Sequence, residues 1–276
     1  MLAVYITLGL IFVITLLVLF LCFPQKSKKA NELKGLYIAH RGLHNNDNGI
    51  PENSLLAFSK AIEKGYAIEN DIHLTADGRV VVFHDDTLLR VCGTSKRPED
   101  MTLDEIKECS LFGTDQKIPT LEECLELIDG KVPLLIEFKS DSLIRADALC
   151  AAANNILKNY KGKYFIQSFY PFILRWYRKN NPTVLRGQLA TAFKGETLHR
   201  RLLGLMLFNF IGRPQFISYE HIYKNSFMRR LAVKLGGYPV GWTFLKKEEI
   251  EASKKDFKAF IFENFEPENK KEFLGE

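Results

Sequence analysis

The stretch NSLLAFSKAIEKGYAIENDIHLTADGRVVVFHDD, Asn53 to Asp86, decides the fold. Its first part reads as an amphipathic helix, with Asn53 or Ser54 suited to cap the start and Gly65 suited to end it. Two short apolar strands follow, Ala67 to Ile72 and Val80 to Phe83. Only LTADGR, Leu74 to Arg79, separates them, far less than the dozen or more residues that a parallel crossover needs.

Working outward, the same alternation recurs. Further candidate strands are Leu36 to Ala39, Leu134 to Phe138, Tyr164 to Gln167, Val184 to Leu189, Phe216 to Tyr219, Val240 to Phe244 and Ala259 to Phe262. Buried apolar strands separated by helices imply a parallel sheet, and this number of units predicts an α/β fold, a (β/α)8 TIM barrel, over residues 35–276. Nine candidates are one too many, so one strand pairs differently or lies outside the barrel. Residues 89–120 show no clear strand and read as a small insertion over the barrel mouth.

The chain of 276 residues, 46% hydrophobic and 26% charged, is large enough for one single-core domain and is not disordered in character. A net charge of +5, with both signs interspersed, gives no reason to expect a nucleic-acid partner. Cys22, Cys92, Cys109, Cys124 and Cys150 form no CxxC pair, which argues against a zinc site or disulfide framework and for reduced thiols.

Residues 1–23 differ from the rest. Leu2 to Phe23 carry no charge and are long enough to cross roughly 30 Å of hydrocarbon. No basic residue precedes the run, as a cleaved signal would require, so it reads as a single transmembrane anchor. Residues 24–34, with Lys26, Lys28, Lys29 and Lys34, read as a basic linker. Basic flanks tend to stay inside, so the folded domain is expected on the cytoplasmic side of the membrane. Oligomeric state is not legible.

Active sites of such barrels gather at the C-terminal ends of strands. Four predicted ends carry groups capable of chemistry: His40 and Arg41, Glu69 and Asp71, His84 and Asp85, Glu137 and Lys139. Strand side chains alternate, so Glu69 and Asp71 share a face, as do Glu137 and Lys139. Three convergent carboxylates repel unless a cation compensates, and oxygen ligands suit one divalent cation, Ca2+ or Mg2+. His40 and His84 beside it suit general acid and base work, and Arg41 and Lys139 suit a phosphate. Together these groups describe phosphodiester cleavage better than sugar or acyl chemistry.

HRG (His40 to Gly42), PENS (Pro51 to Ser54), ENDIHLTADGRVVVFHDD (Glu69 to Asp86) and IEFK (Ile136 to Lys139), in that order, resemble the signature of the glycerophosphodiester phosphodiesterase family, whose members are metal-dependent TIM barrels. QSF (Gln167 to Phe169) and GWTF (Gly241 to Phe244) resemble its weaker strand motifs. The resemblance implies that His40 and His84 are the acid/base pair, that Glu69, Asp71 and Glu137 bind the metal, and that Arg41 and Lys139 hold the phosphate. It places Glu52 near the site. It also implies hydrolysis of glycerophosphodiesters to glycerol 3-phosphate and an alcohol. One departure is FIFENFEP, Phe260 to Pro267, where Glu263 and Asn264 replace the usual Thr-Asp. The core site is expected not to depend on that corner.

Other residues keep a plainer reading. His44, His73, His199 and His221 remain unassigned, and PENS serves partly as a helix start. Trp242 is either barrel filling or a substrate platform. Leu198 to Pro214 reads as a buried helix or a membrane contact, and Lys224, Arg229, Arg230 and Lys234 as a solvated helix face. Two function classes follow: a membrane-anchored phosphodiesterase acting on soluble glycerophosphodiesters or on lysophospholipid-like substrates, and a head-group-binding module that does not cleave. A phospholipase-type barrel is the runner-up within the enzyme class.

Overall fold

The computed structural model describes residues 1–140, 142–192, 201 and 204–268. Ser54 settles the helix start in the decisive stretch: its hydroxyl accepts the Ala57 N–H at 3.1 Å to open α2 (Leu55–Glu63). Asn53 is instead turned into the left-handed region (φ 55°) and sends its amide to Asp71.

Eight parallel strands close on themselves: β1 (Tyr37–Ala39), β2 (Ala67–Leu74), β4 (Leu134–Phe138), β5 (Tyr164–Ser168), β6 (Arg186–Ala190), β7 (Phe216–Glu220), β8 (Tyr238–Phe244) and β9 (Ala259–Phe262). Each pairs with the next, and β1 closes the ring by pairing with both β2 and β9. The surplus candidate is β3 (Val80–Val82), which runs antiparallel to β2 outside the ring, as its short LTADGR connection requires.

Side-chain alternation divides the core. Outward-facing Ile68, Ile72, Ile136 and Ile166 pack against the surrounding helices. Inside, Ala67, Leu135, Phe165, Leu185, Phe216, Val240 and Ala259, all near strand starts, form an apolar floor. Phe216 lies so close to Gly187 that a Cβ there would meet its ring at 1.9 Å. Two positions further along the same faces, the inward residues become Glu69, Glu137 and Gln167. These three strands are thus apolar below and polar above.

The segment read as a basic linker does more than tether. Lys28–Leu33 form a 3-10 turn whose Ala30 and Leu33 are buried in the barrel floor. Two apolar residues at turn spacing plug the ring while the lysines on either side, Lys28, Lys29 and Lys34, stay in water. Arg229 likewise leaves the solvated face expected for it: it is buried, 4.2 Å above the Phe257 ring, and one Nη donates to the Lys224 carbonyl.

Within 89–120, α3 (Leu89–Cys92), α4 (Leu103–Glu108) and short turns gather Val91, Met101, Ile106, Leu111 and Ile118 into a separate small core with Val81 and Phe83. Helix α1 (Leu2–Cys22) meets the barrel through its last turn only; its side chains up to Leu17 are exposed, and it is long and apolar enough to cross a membrane. Of the apolar 198–214 stretch, 198–200 and 202–203, with His199, lie outside the described residues. Asn209–Gly212 form a single helical turn against the helix Pro171–Asn180, and the Asn209 amide donates to the Cys22 carbonyl at 3.0 Å.

Candidate active site

Strand register builds the site. Asp71 on β2 lies beside Glu137 on β4, and Glu137 beside Gln167 on β5. Glu69, Asp71 and Glu137 are all buried, with ligand oxygens within 4.8 Å of one another. Lys139 Nζ lies 3.0 Å from Asp71 and 2.6 Å from Glu137. Burial opposes its charge, but those two carboxylates outweigh burial and hold the ammonium above its ordinary range. Asp71 shows the converse: burial alone would raise it, yet Lys139, His84 and Arg41 hold it well below the carboxylate range.

Among the described residues Glu69 has no cation in such contact; its oxygens accept the Arg41 backbone N–H at 3.1 Å and the Gln167 amide at 3.5 Å. Burial, then Asp71 and Glu137, push its carboxyl well above the ordinary value. The cluster therefore carries uncompensated negative charge on hard oxygen donors, the chemistry that a divalent ion fits.

Two imidazoles flank the carboxylates, each held through Nδ1. Glu263 Oε2 lies 2.6 Å from His40 Nδ1, and Asp85 Oδ1 lies 2.7 Å from His84 Nδ1. In both rings Nε2 has no hydrogen-bond partner among the described residues. Burial lowers the His40 pKa, and Glu263 partly opposes that shift.

Arg41 is set by its backbone. Its left-handed φ of 56° turns the chain at the end of β1, and its Nη1 donates to Glu52 at 2.6 Å. The next residue, Gly42 (φ 81°), packs so closely that a Cβ would sit 2.8 Å from the Phe58 ring. Glu52 in turn accepts both Nη groups of Arg90 at 2.9 and 2.7 Å, and Arg90 also grips Asp85 through Nε at 2.7 Å. Burial would raise the Glu52 pKa, but Arg90, Arg41 and Asn46 bring it down to about 2. Arg90 thus ties the partner of Arg41 to the partner of His84.

The resulting pocket, about 220 Å3, is lined by His40, Arg41, Glu69, His84, Glu137, Lys139 and Trp242. Asp71 and Glu52 stand directly behind it. Trp242 meets Phe169 edge to face with ring centroids 5.9 Å apart, and its buried Nε1–H has no partner among the described residues. Trp242 both lines this pocket and packs against the barrel floor.

Sequence reasoning missed two members. Glu263 was set aside as a departing corner, but closure of β9 on β1 brings it to His40. Arg90 was absorbed into the insertion, and no local signal points from it to Glu52. Of the other described histidines, His73 pairs with Glu99 at 2.6 Å and His221 stacks on Phe244 at 4.4 Å. His44 stands beside the site, 3.8 Å from Glu263.

Residues 40–258 match the model of the glycerophosphoryl diester phosphodiesterase family. A protein of Caldanaerobacter subterraneus subsp. tengcongensis named glycerophosphodiester phosphodiesterase is 35% identical over 236 residues, 79% of this chain and 89% of that protein. Among solved structures, a glycerophosphodiester phosphodiesterase of Thermotoga maritima is 26% identical with a TM-score of 0.64, covering 82% of this chain and 94% of that one. The fold is shared by an Oleispira antarctica phosphodiesterase solved with its product sn-glycerol-3-phosphate, at 22% identity and a TM-score of 0.68, covering 84% and 94% of the two chains.

Proposed function

The chain belongs to the glycerophosphoryl diester phosphodiesterase family, and from that premise we propose that it hydrolyses glycerophosphodiesters to sn-glycerol 3-phosphate and an alcohol with the help of one divalent cation. The observation that carries this reading is the triad Glu69, Asp71 and Glu137 within 4.8 Å, with two imidazoles beside it whose Nδ1 atoms are both fixed by carboxylates. Those three residues would hold Ca2+ or Mg2+, which supplies charge to the phosphoryl oxygens when bound.

The chain's own groups do the rest. Arg41 and Lys139 supply fixed positive charge on the wall that receives the phosphate. His40 and His84 work from Nε2. One accepts a proton from the attacking oxygen, either water itself or a glycerol hydroxyl whose cyclic ester water then opens by the same exchange, as the new P–O bond forms, and the other gives a proton to the alcohol oxygen as the old P–O bond breaks. Glu263 and Asp85 fix the orientation and tautomer of each ring through Nδ1. Trp242 and Phe169 form the apolar wall for the glycerol carbons.

Helix α1 is read as a retained single-pass anchor, with the barrel on the cytoplasmic side. A cleaved leader would leave the buried Cys22 and the side chains of Asn209 and Arg213 without the α1 end that they grip. A lysophospholipid-like substrate is the second reading, favoured by exposed Ile222, Phe227 and Leu245 on segments that follow β7 and β8 at the mouth.

The test is release of glycerol 3-phosphate from glycerophosphocholine and from a lysophospholipid, with EDTA and then Ca2+ or Mg2+. Activity lost to chelator and restored by metal is expected, and the preferred member of the pair decides the substrate. Folded protein that cleaves neither under any metal would leave the head-group-binding module as the better account.

A further inference from the structure

Three arginines meet where α1 joins the barrel, at the end opposite the catalytic pocket, and no carboxylate answers them among the described residues. Arg178 lies in the last turn of the helix Pro171–Asn180, Arg186 opens β6 and Arg213 precedes β7. With Phe23, Pro24 and Gln25 they line a cavity of about 570 Å3.

Every recorded partner of these guanidinium groups is neutral. Arg186 is 1% exposed; its Nε donates to the Gly212 carbonyl at 2.9 Å and Nη2 to Gln25 Oε1 at 2.6 Å and the Arg213 carbonyl at 3.2 Å, while Nη1 has no partner among the described residues. Arg213 donates to the carbonyls of Phe20 and Phe23 at 3.2 and 2.7 Å, and its guanidinium lies 4.9 Å from the Phe20 ring centre. Arg178 reaches the carbonyls of Phe210 and Ile211 at 3.4 Å. Burial and the neighbouring Arg178 bring the Arg186 pKa down to about 10, as expected for a cation facing only like charge.

Burying a cation without a counter-charge is costly, and an anion in the cavity would offset that cost. Planar guanidinium forks match phosphate oxygens, and three of them exceed the need of a single carboxylate. The location narrows the source. The foot of an apolar helix lies at head-group depth when the helix is in a bilayer, and Lys26, Lys28 and Lys29 follow immediately, where anionic lipids concentrate.

We propose that the Arg178, Arg186 and Arg213 cavity binds the phosphate of an anionic phospholipid from the membrane that holds α1. This rests on the reading of α1 as a retained anchor. It also orients the enzyme: the barrel floor stands against the head groups and the catalytic mouth opens to water, so glycerophosphodiesters arrive from solution.

The experiment is native mass spectrometry of the full chain released from nanodiscs containing phosphatidylglycerol or phosphatidylcholine, with inorganic phosphate as a third arm. The parent should retain one phosphatidylglycerol, and phosphatidylcholine should be retained far less. Arg178 is exposed, so Arg178→Gln should keep the parent's melting temperature and hydrolysis rate while retaining phosphatidylglycerol about tenfold less, the loss of roughly one charge-assisted contact. Equal retention by parent and variant, or equal retention of the two lipids, overturns the proposal. So does inorganic phosphate binding as tightly as the lipid, which would make this a site for free phosphate. Hydrolysis is read separately, so an inactive protein that retains the lipid would count against the activity and not against the site.

Discussion

Replacing Glu263 with Gln tests whether the corner where β9 closes on β1 is part of the catalytic apparatus. The pair is short and shielded: 2.6 Å from Oε2 to His40 Nδ1, with the side chains 24% and 16% exposed. Gln keeps the shape and an acceptor oxygen and removes the charge that favours the imidazolium. A hydrogen bond to a charged group contributes about 1.5–3 kcal/mol, so turnover should fall about ten- to hundredfold. The sign of the pH effect also follows. Burial and Arg41 lower the His40 pKa, and Glu263 raises it; without Glu263 the His40 limb of the kcat/KM profile moves to lower pH. Steady-state assays across pH 4–9 on parent, Glu263→Gln and Glu263→Asp, with melting curves as a control, measure both effects. A rate within about twofold of the parent together with an unmoved limb would refute the positioning role.

In the metal-free protein, Glu69→Gln should raise the melting temperature, because burial with Asp71 and Glu137 holds the Glu69 carboxyl well above its ordinary value. For an acid raised on folding, this contribution is full below the unfolded pKa and is lost as pH rises through the folded one, so the gain in melting temperature of Glu69→Gln over the metal-free parent should be larger near pH 8 than near pH 4. Added Ca2+ or Mg2+ should stabilise the parent and not the variant in thermal scans, and an equal response of both would argue against Glu69 as a ligand. Arg90→Ala should lower kcat/KM about tenfold, since it frees both Glu52 and Asp85, yet it should cost little stability because Arg90 is 45% exposed. A large drop in melting temperature with unchanged kinetics would show it to be a structural tie alone. Gly42→Ala should destabilise by roughly 1–3 kcal/mol in urea titrations, because its φ of 81° and the 2.8 Å approach to Phe58 leave no room for a Cβ.

What was legible in the sequence was whatever repeats over short range. Two-residue alternation in Ala67–Glu69–Asp71 and Leu135–Glu137–Lys139 already separates an apolar floor from a charged mouth, and the short connection before Val80 already marks a strand that cannot run parallel. Helix caps and glycine stops delimit the units, so the barrel class, the carboxylate triad and the two histidines follow from local chemistry. Only tertiary structure decided what depends on distant segments meeting. Glu263 reaches His40 because β9 closes on β1, and Arg90 reaches Glu52 because the insertion packs over β3. Ala30 and Leu33 lie among lysines in sequence yet fill the barrel floor, and Arg229 leaves a basic run to lie on Phe257. In each case the partner is set by ring closure or by packing between elements far apart in the chain, and spacing along one segment carries no record of it.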